Sequence, residues 1–471
     1  MSARRIVIVG GGITGLATAH ALVTGPRATE LDVVVLEAGA APGGNIRTMK
    51  RDGYTIDGGP DSWVASKPQA TALATALGLG DDLMPTIEAT RRVYVAWKGG
   101  LHPLPEGLVL AVPTQVMPML KTPLFSWAAK LRMGLEIMVP RRKSRDDESI
   151  GAFVTRRLGT EMTERLAAPL LGGIFAGDAT KISIRATFPQ FVEMEEKHGS
   201  LILAMRAAKR ANGAPKGKGP PSAFTSLRGG MGSLVDAVVR AIGAARVRTS
   251  TSVTSIAKLD AGDARGRFRI DVKGGDSLYA DDVVLATPAH AAGSALGALD
   301  ADLARDLDGI PYASTATVFL AYRRADVKHP LDGVGFLVPR PLGRPILAAT
   351  WVSSKWESRA PEGGVLMRAF FGGHWGEELL SQSDDELVTL ARKELGDLMK
   401  LDATPLFSQV FRFVRASPQP LVGHLDRIAR MKTALARYPG LYIAGSGFDG
   451  VGVPDCVRQA NEIAATIVAS T

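Results

Sequence analysis

Three glycines near the N-terminus constrain the fold more than any other feature of this chain. Gly10, Gly12 and Gly15 stand between a short strand pattern, 5–9, whose residues 6–9 are branched and apolar, and a run of good helix formers, 16–22. In a G-x-G-x-x-G turn between a strand and a helix, the first glycine allows the tight turn, the second admits a pyrophosphate, and the third lets the helix approach the strand. The diphosphate is expected at the helix N-terminus, where free N–H groups favour negative charge. The first sixty residues therefore predict a βαβ unit that binds a dinucleotide.

An acidic residue at the expected distance supports this prediction. Glu37 ends a second apolar run, 31–36, and lies 22 residues beyond Gly15, where a carboxylate can bind ribose hydroxyls. Gly43 and Gly44 follow after five intervening residues. This spacing resembles the FAD family of amine oxidases and carotenoid desaturases more than the NAD dehydrogenases, and it implies that the cofactor is FAD. A glycine-rich turn without a ligand is the disfavoured alternative.

Segments far along the chain resemble the same family. The last fifty residues predict a strand at 441–444, a glycine turn and a closing helix at 454–469, and in this family the corresponding segment covers the flavin and its diphosphate. Residues 227–234 and 283–288 also match the family pattern. The residues that the resemblance implies for FAD binding are Gly10, Gly12, Ile13, Thr14, Gly15, Glu37, Ala38, Gly43, Gly44, Asn45, Arg47, Gly59, Pro60, Asp61, Ser62, Val253, Gly445, Gly452 and Val453.

Composition excludes several classes of protein. The one cysteine, Cys456, cannot form an internal disulfide and is interpreted as a packing residue, and seven histidines without metal-binding spacing predict no metal site. The formal net charge of +9 is spread along the chain without a nucleic-acid-binding motif. We therefore expect an anionic small substrate or an anionic membrane surface as partner, and no nucleic acid. The chain begins directly with a strand and has no signal-peptide layout, which predicts a cytoplasmic protein. For the oligomeric state, the sequence leaves a monomer and a homodimer open.

The most specific segments lie in the middle of the chain. Residues 172–178 read GGIFAGD, 186–189 read ATFP and 197–201 read KHGSL. Together with 101–105, 335–338 and 450–456, they resemble the oxygen-dependent porphyrinogen oxidases of haem biosynthesis over essentially the whole chain. Members of that family remove six electrons from a porphyrinogen in three two-electron steps and pass each pair through FAD to oxygen, with hydrogen peroxide as product. The resemblance implies no catalytic side chain beyond the flavin.

The substrate is one of two porphyrinogens. Residues 107–114 and 350–363 look more like the branch of the family that makes coproporphyrin. This favours coproporphyrinogen III, with four carboxylates, and leaves protoporphyrinogen IX, with two, as the alternative. Another FAD amine oxidase or desaturase, or a porphyrin carrier without turnover, are more remote alternatives.

The resemblance also implies substrate-binding residues. Arg91 stands where the family has an arginine that pairs with a propionate, a role suited to a bidentate guanidinium, although a solvated strand-face arginine is the alternative. Lys67 is a second candidate cation, with a surface lysine as the alternative reading. The segment 173–177 is expected to form a loop at the rim of the site, against the alternative of a helix-terminating turn. The remaining candidates are Gly173, Gly335, Leu337 and Phe370.

The predicted fold combines α/β and α+β parts in three domains. A Rossmann-like FAD-binding domain is assembled from the discontinuous segments 1–62, 222–292 and 421–471. Residues 63–98 and 293–420 form a substrate-binding domain that contains a β-sheet, with strands expected at 313–322, 335–338, 346–353 and 365–371. Residues 246–256 are expected to form one strand beside the FAD site. Residues 99–211 form a helical domain, and 212–221 a mobile linker.

The helical domain is a candidate for contact with membranes. Residues 99–140 mix apolar runs with cations, a combination that suits peripheral docking on anionic lipid, as in several relatives. A helical subdomain packed on its neighbours, with a basic solvent face, explains the pattern equally well.

Overall fold

The computed structural model describes residues 3–109, 112–212 and 222–470, which form 22 β-strands and 17 α-helices. Most of the predicted linker, 213–221, lies outside the described residues. In chain order the strands are β1 (Arg4–Val9), β2 (Leu31–Leu36), β3 (Thr48–Arg51), β4 (Tyr54–Asp57), β5 (Trp63–Val64), β6 (Leu83–Pro85), β7 (Val93–Trp97), β8 (Gly100–Pro103), β9 (Leu108–Val109), β10 (Val112–Pro113), β11 (Phe224–Leu227), β12 (Val247–Arg248), β13 (Val253–Lys258), β14 (Phe268–Val272), β15 (Leu278–Ala280), β16 (Asp282–Leu285), β17 (Tyr312–Arg323), β18 (Gly335–Leu337), β19 (Ala348–Trp351), β20 (Gly364–Gly372), β21 (Phe407–Pro418) and β22 (Leu441–Ile443).

In the described residues, no helix is long and apolar enough to cross a membrane. The helices are α1 (Ile13–Val23), α2 (Gln69–Ala76), α3 (Val116–Lys121), α4 (Trp127–Gly134), α5 (Ile150–Leu158), α6 (Thr160–Met162), α7 (Ala168–Phe175), α8 (Ile184–Thr187), α9 (Pro189–His198), α10 (Leu201–Asn212), α11 (Gly232–Ile242), α12 (Ala289–Leu296), α13 (Ala301–Asp308), α14 (Val352–Lys355), α15 (Asp384–Met399), α16 (His424–Leu435) and α17 (Val453–Ala469).

A five-stranded parallel sheet with the order β12-β2-β1-β16-β22 forms the first part of the fold. Alternate residues of β1 enter different cores: Ile6 and Ile8 pack with α1, α11 and α17, whereas Val7 and Val9 face the antiparallel sheet β13-β14-β15 and α12. Both faces of a parallel sheet are normally covered in this way. The predicted unit of β1, α1 and β2 is confirmed, and the strands of the sheet come from distant stretches of the chain, as expected.

A seven-stranded mixed sheet with the order β21-β17-β20-β19-β18-β7-β8 forms the second part. One face of β20, with Val365 and Met367, packs against α15. The opposite face turns towards the rest of the molecule: Leu366 packs with β4, and Phe370 packs against the core that contains α7. This face is therefore where the two sheets and the helical part of the chain meet.

A helical part follows a pair of short strands, β9 and β10, so the helices of the predicted helical domain, 99–211, begin only at Val116. The carboxylate of Glu136 and the guanidinium of Arg157 form an ion pair in its centre, and both side chains are completely buried. Glu136 also accepts a hydrogen bond from the Leu201 N–H at 2.9 Å, which fixes the start of α10.

One of the predicted strands is divided in the structure and another is shorter. Residues 246–256 do not form one strand, because Ser250 has a φ of +51° and its N–H donates to the Gly39 carbonyl, so the chain leaves one sheet after β12 and enters another at β13. The strand predicted at 346–353 ends at Trp351, and the chain then turns into α14. That turn brings Lys355 to Asp61.

The buried cores do not follow the predicted domain boundaries closely. Trp63 and Leu73, predicted in the substrate domain, pack in the core of the parallel sheet, and Leu303 of α13 packs on its other side. Strand β8, predicted in the helical domain, pairs with β7 in the seven-stranded sheet. The boundaries between the FAD-binding, substrate-binding and helical domains therefore stay a prediction about function, and these elements pack across them.

Candidate FAD and substrate site

The turn between β1 and α1 leaves no space for side chains at two of its glycines. Gly10 has a φ of +109°, and a Cβ there would lie 2.6 Å from the Ala286 carbonyl oxygen. A Cβ on Gly15 would lie 2.0 Å from the Gly10 oxygen, so α1 reaches this position only because the residue is glycine. Among the described residues, no atom lies within 4 Å of a Cβ on Gly12, and no side chain caps α1. The first-turn N–H groups of α1 and the open space at Gly12 fit a diphosphate.

Glu37 lies beside this turn. Its Oε2 accepts the Gly11 N–H at 2.7 Å, and its Oε1 accepts the Gly39 N–H at 2.7 Å. Each carboxylate oxygen can accept a second hydrogen bond, so ribose hydroxyls can still bind there. Gly43 forms a bridge with Gly12, and the start of β13 at Val253 follows closely on Thr251, whose N–H donates to the Glu37 carbonyl.

The N-terminus of α17 closes the site from the far end of the chain. Helix α17 packs along α1 and begins after Gly452. Its first turn carries Asp455, which accepts the Gly452 N–H at 3.3 Å and pairs with Lys67 at 2.6 Å. The N–H of Gly445, which has a φ of +142°, donates to Gln459 of α17 at 3.1 Å. The predicted FAD residues at both ends of the chain therefore lie around two helix N-termini.

One residue next to this turn was not among the sequence candidates. Thr287 follows β16, and its Cγ2 would lie 3.1 Å from a Cβ on Gly10. Its Oγ1 is buried and forms no hydrogen bond within the part of the chain that the structure describes. Buried hydroxyls normally have a partner, and a bound dinucleotide would supply one. Thr287 lies in the segment 283–288, which matches the family pattern, but that match does not single out its hydroxyl.

The segment from Gly58 to Ser62 joins the two sheets. A Cβ on Gly59 would lie 1.8 Å from the Asn45 carbonyl oxygen, so these two predicted FAD residues are in direct contact. Arg47 accepts the Gly58 N–H on its carbonyl oxygen at 2.8 Å. The Gly58 carbonyl in turn accepts the hydroxyl of Thr317, from β17, at 3.0 Å. The predicted FAD segment is therefore attached directly to the substrate-side sheet.

Five charged side chains lie behind this segment, and we name them the buried charge cluster. Asp57 pairs with Arg359 at 2.9 Å, and Asp61 pairs with Lys355 at 2.8 Å. Burial opposes ionisation of Asp61, but Lys355 and Arg368 hold the pKa of its carboxyl well below the usual value. Burial lowers the pKa of Arg368 to about 10. Sequence reasoning identified only Asp61, because Lys355, Arg359 and Arg368 are distant in the chain.

The apolar substrate candidates come together where the sheet meets α7. Leu337 of β18 and Phe370 of β20 pack against the core that contains Leu171 and Phe175 of α7. A Cβ on Gly173 would lie 3.9 Å from the Leu337 Cδ2. An apolar surface of this kind suits a large flat ligand.

The polar candidates lie at the margins of this surface or away from it. Arg91 lies two residues before β7, which pairs with β18, and its Nη2 donates to the Thr86 carbonyl at 3.4 Å. Gly335 lies on β18, two residues before Leu337. Lys67 instead pairs with Asp455 beside α17, which satisfies its charge within the FAD side of the molecule.

The expected loop at 173–177 is wrong. Gly173 lies inside α7, which ends at Phe175 with Ala176 in the left-handed conformation at a φ of +52°. The helix extends as far as Phe175, and the Ala176 N–H donates to the Gly172 carbonyl at 2.9 Å to close its last turn. The turn after it is held by the Gln419 side chain, whose Nε2 donates to the Phe175 carbonyl at 2.6 Å.

Cys456, which the sequence predicts as a packing residue, and His424 both occupy structural positions. Cys456 is buried in α17, and burial raises the pKa of its thiol to about 11. His424 is buried at the start of α16, where its Nε2 lies 3.3 Å from the Phe448 carbonyl oxygen and burial lowers its pKa. Neither residue needs a role in oxidation.

Comparisons with known proteins identify the family of this chain. The model of the flavin-containing amine oxidoreductase family matches residues 13–468. The chain is 36% identical over 465 residues to the coproporphyrinogen III oxidase of Bacillus subtilis, covering 97% of this chain and 96% of the relative. It is 34% identical over 484 residues to the chloroplastic protoporphyrinogen oxidase of Oryza sativa subsp. japonica, covering 98% and 87%.

A solved structure extends the agreement to three dimensions. The crystal structure of an Exiguobacterium sp. 255-15 protein, assigned as a protoporphyrinogen oxidase, superimposes with a TM-score of 0.87 at 35% identity, and each chain is covered completely. The resemblance to porphyrinogen oxidases that the sequence predicted is thus confirmed. The chain belongs to the flavin-containing amine oxidoreductase family, and its cofactor is FAD.

Proposed function

We propose that this protein oxidises coproporphyrinogen III to coproporphyrin III, with FAD as the first electron acceptor and oxygen as the second. The observation that carries the proposal is the position of the apolar surface of Leu337 and Phe370, on the same sheet face that holds the Gly58–Ser62 segment of the FAD site. A tetrapyrrole on that surface would lie against the flavin. Near full-length similarity to the Bacillus subtilis enzyme supports the four-carboxylate substrate.

The bound flavin supplies the oxidative chemistry, and the side chains of this chain bind, orient and shield. Six electrons and six hydrogens leave the porphyrinogen, and three molecules of oxygen take them up as three molecules of hydrogen peroxide. The buried Leu337 side chain and the half-buried Phe370 ring exclude water from one face of the substrate. Arg91, at the margin, is the proposed partner of a propionate.

The decisive experiment is anaerobic reduction of the bound FAD by each purified porphyrinogen. We expect coproporphyrinogen III to bleach the flavin absorbance rapidly and protoporphyrinogen IX to do so slowly. Rapid bleaching by protoporphyrinogen IX alone would overturn the choice of substrate and leave the reaction class intact.

A second measurement tests the reaction class itself. With oxygen present, about three molecules of hydrogen peroxide are expected for each coproporphyrin formed. A porphyrin carrier would bind the macrocycle and produce no peroxide. An amine oxidase would bleach with an amine and with neither porphyrinogen.

The proposed role of Arg91 has its own test. Arg91→Met removes the guanidinium, and we expect KM for coproporphyrinogen III to rise about tenfold with kcat little changed, because a carboxylate contact binds substrate and transition state alike. The neighbouring Arg92 is the matched control, since its side chain is 68% exposed and pairs with Asp332. If Arg91→Met and Arg92→Met have the same KM as the unchanged protein, Arg91 does not bind substrate.

We further infer that the protein docks on anionic membrane surfaces through α3 and α4. Trp127 and Leu131, one helical turn apart on α4, are 72% and 67% exposed, and Met117 of α3 is 59% exposed. The two helices are neighbours, because the Lys130 Nζ donates to the Leu120 carbonyl of α3 at 2.7 Å. Lys121 of α3 and Lys130 of α4 complement anionic lipid, as do the exposed Arg141 and Lys143, which follow these helices in the chain. Arg132 donates to the Arg156 and Arg157 carbonyls and Arg142 pairs with Glu148, so these two cations are engaged within the molecule.

Vesicle flotation tests the docking. We expect binding to vesicles with phosphatidylglycerol at low salt, weaker binding at high salt, and loss of binding in Trp127→Ser/Leu131→Ser. Val414→Ser is the control, since Val414 is 70% exposed on β21, outside this face. If the protein does not float at low salt, the docking proposal fails.

A further inference from the structure

The buried charge cluster carries an excess of positive charge. It contains three cations, Lys355, Arg359 and Arg368, and two carboxylates, Asp57 and Asp61, which gives a net charge of +1. The two carboxylates form ion pairs with Lys355 and Arg359. The excess positive charge is therefore that of Arg368.

Arg368 is held in a place where its charge is poorly solvated. It is 7% exposed and lies on the face of β20 opposite α15. Its Nη2 donates to the Gly58 carbonyl at 2.7 Å, and its Cζ lies 4.4 Å from the centroid of the Phe370 ring and 5.3 Å from that of Phe319. Its Nε is buried and forms no hydrogen bond within the described residues. Burial of a cation with so few partners costs free energy of folding. That cost points to a role of this charge in the site.

The contacts of Arg368 join the two halves of the site. Gly58 begins the segment proposed to bind FAD, and Phe370 belongs to the surface proposed to bind the substrate. The guanidinium touches both, and no carboxylate lies between it and the Gly58 carbonyl. We propose that Arg368 is a positioning residue that fixes the Gly58–Ser62 segment and adds a net positive charge to the wall of the proposed flavin site, which favours the reduced form of the flavin.

The physical reason lies in the charge that reduction creates. A hydride carries two electrons and one proton, so its transfer to the flavin ring adds one negative charge. Poor solvation weakens screening, so a nearby fixed cation stabilises that charge more than it would in water. This inference rests on the FAD assignment within the proposed function, but not on which porphyrinogen is the substrate.

The test measures the midpoint potential of the bound FAD against a reference dye, without any porphyrinogen. In Arg368→Met we expect a more negative potential, so that the ratio of reduced to oxidised FAD at a fixed potential falls about tenfold. Arg368→Lys, which keeps the charge, should restore most of the shift. Asp61→Asn removes a negative charge and should move the potential in the opposite direction, and Arg368→Met/Asp61→Asn should lie close to the unchanged protein.

Two further variants keep the test decisive. Lys355→Met removes a cation of the same cluster from a side chain that is 16% exposed, and it should shift the potential in the same direction as Arg368→Met even if the latter does not fold. Arg344→Met is the control, because Arg344 pairs with Glu394 of α15, on the opposite face of the sheet, and it should leave the potential unchanged. Shifts of the same sign in Lys355→Met and Asp61→Asn would overturn the proposal, as would an unchanged potential in FAD-loaded Arg368→Met. A failure to oxidise porphyrinogens, with the potentials shifted as stated, would contradict the proposed function only.

Discussion

Gly335 lies where two strands leave no space for a side chain. Its φ is +139°, and a Cβ there would lie 2.1 Å from the Ala349 carbonyl oxygen of β19. The family resemblance assigns Gly335 to the substrate, and the structure adds a reason that does not involve substrate. The pairing of β18 with β19 requires glycine here.

A substitution separates the two reasons. Gly335→Ala should lower the free energy of unfolding by about 2 kcal/mol or more, with or without substrate, because both the backbone angle and the contact become strained. Urea unfolding of the holoenzyme measures this. Gly134→Ala is the control. Gly134 is the last residue of α4, and in the described residues a Cβ added there would have no neighbour within 4 Å, so the substitution should leave the free energy of unfolding unchanged or slightly higher. A rise in KM for Gly335→Ala at unchanged stability would contradict the structural role.

Cys456 gives a second prediction at this scale. Its thiol is buried where α17 packs on α1, and the rise of its pKa from 9.0 to about 11 lowers the thiolate fraction about a hundredfold near neutral pH. Iodoacetamide should therefore alkylate the native protein at least about a hundredfold more slowly than the unfolded chain. Mass spectrometry reads the result directly, because the chain has one cysteine. Comparable rates in the two states would show that the thiol is accessible.

At the scale of elements, the sequence predicts best where one periodic pattern dominates. Residues 6–9 of β1 are apolar and buried on both faces of the sheet, and β2 is apolar except at the exposed Asp32. Strand β21 was not predicted, because it lies at the edge of its sheet and its half-buried residues include Gln409 and Arg412. The glycine turn between β1 and α1 was predictable for a different reason, because all its residues are adjacent in the chain. Arg368 and Thr287 were not, because only the fold brings them to the site.

The buried ion pair of the helical part allows a prediction about an element. Arg157 donates to Glu136, and its Nη2 also donates to the Gly199 carbonyl at 2.9 Å, so it joins α5 to the start of α10. Arg157→Met should lower the free energy of unfolding by about 3–5 kcal/mol, because Glu136 is left charged and buried. Urea unfolding followed by circular dichroism measures it.

A second variant identifies the cause of that loss. Arg157→Met/Glu136→Leu should recover part of the stability, because neither charge then remains buried without its partner. If the double variant is less stable than Arg157→Met by the full cost of another lost contact, packing and not charge explains the effect.

At the scale of the whole molecule, FAD should act as a structural component. The proposed cofactor site comprises β1 with α1, the segment around Val253 and the N-terminus of α17, and the unfolded chain does not hold these parts together. Binding to the folded state alone should stabilise it by about 4 kcal/mol at FAD concentrations about a thousandfold above Kd. Removal of FAD should therefore lower Tm, and Tm should rise again with the logarithm of added FAD.

Thermal unfolding at several cofactor concentrations checks this. NAD is the matched control, since it shares the adenosine diphosphate part but lacks the flavin. A Tm that does not depend on FAD concentration would show that the site contributes nothing to the stability of the fold.

The arrangement of the parallel sheet also sets an order of events during synthesis. Strand β1 leaves the ribosome well before β22, which belongs to the same sheet, and before α17, which packs on α1 beside the proposed cofactor site. The nascent chain therefore carries the phosphate-binding turn for almost the whole time of translation without the parts that enclose the flavin. We expect cofactor loading to wait until α17 has been made, and a truncation that removes α17 should yield a colourless protein even though all the glycines of the fingerprint are present.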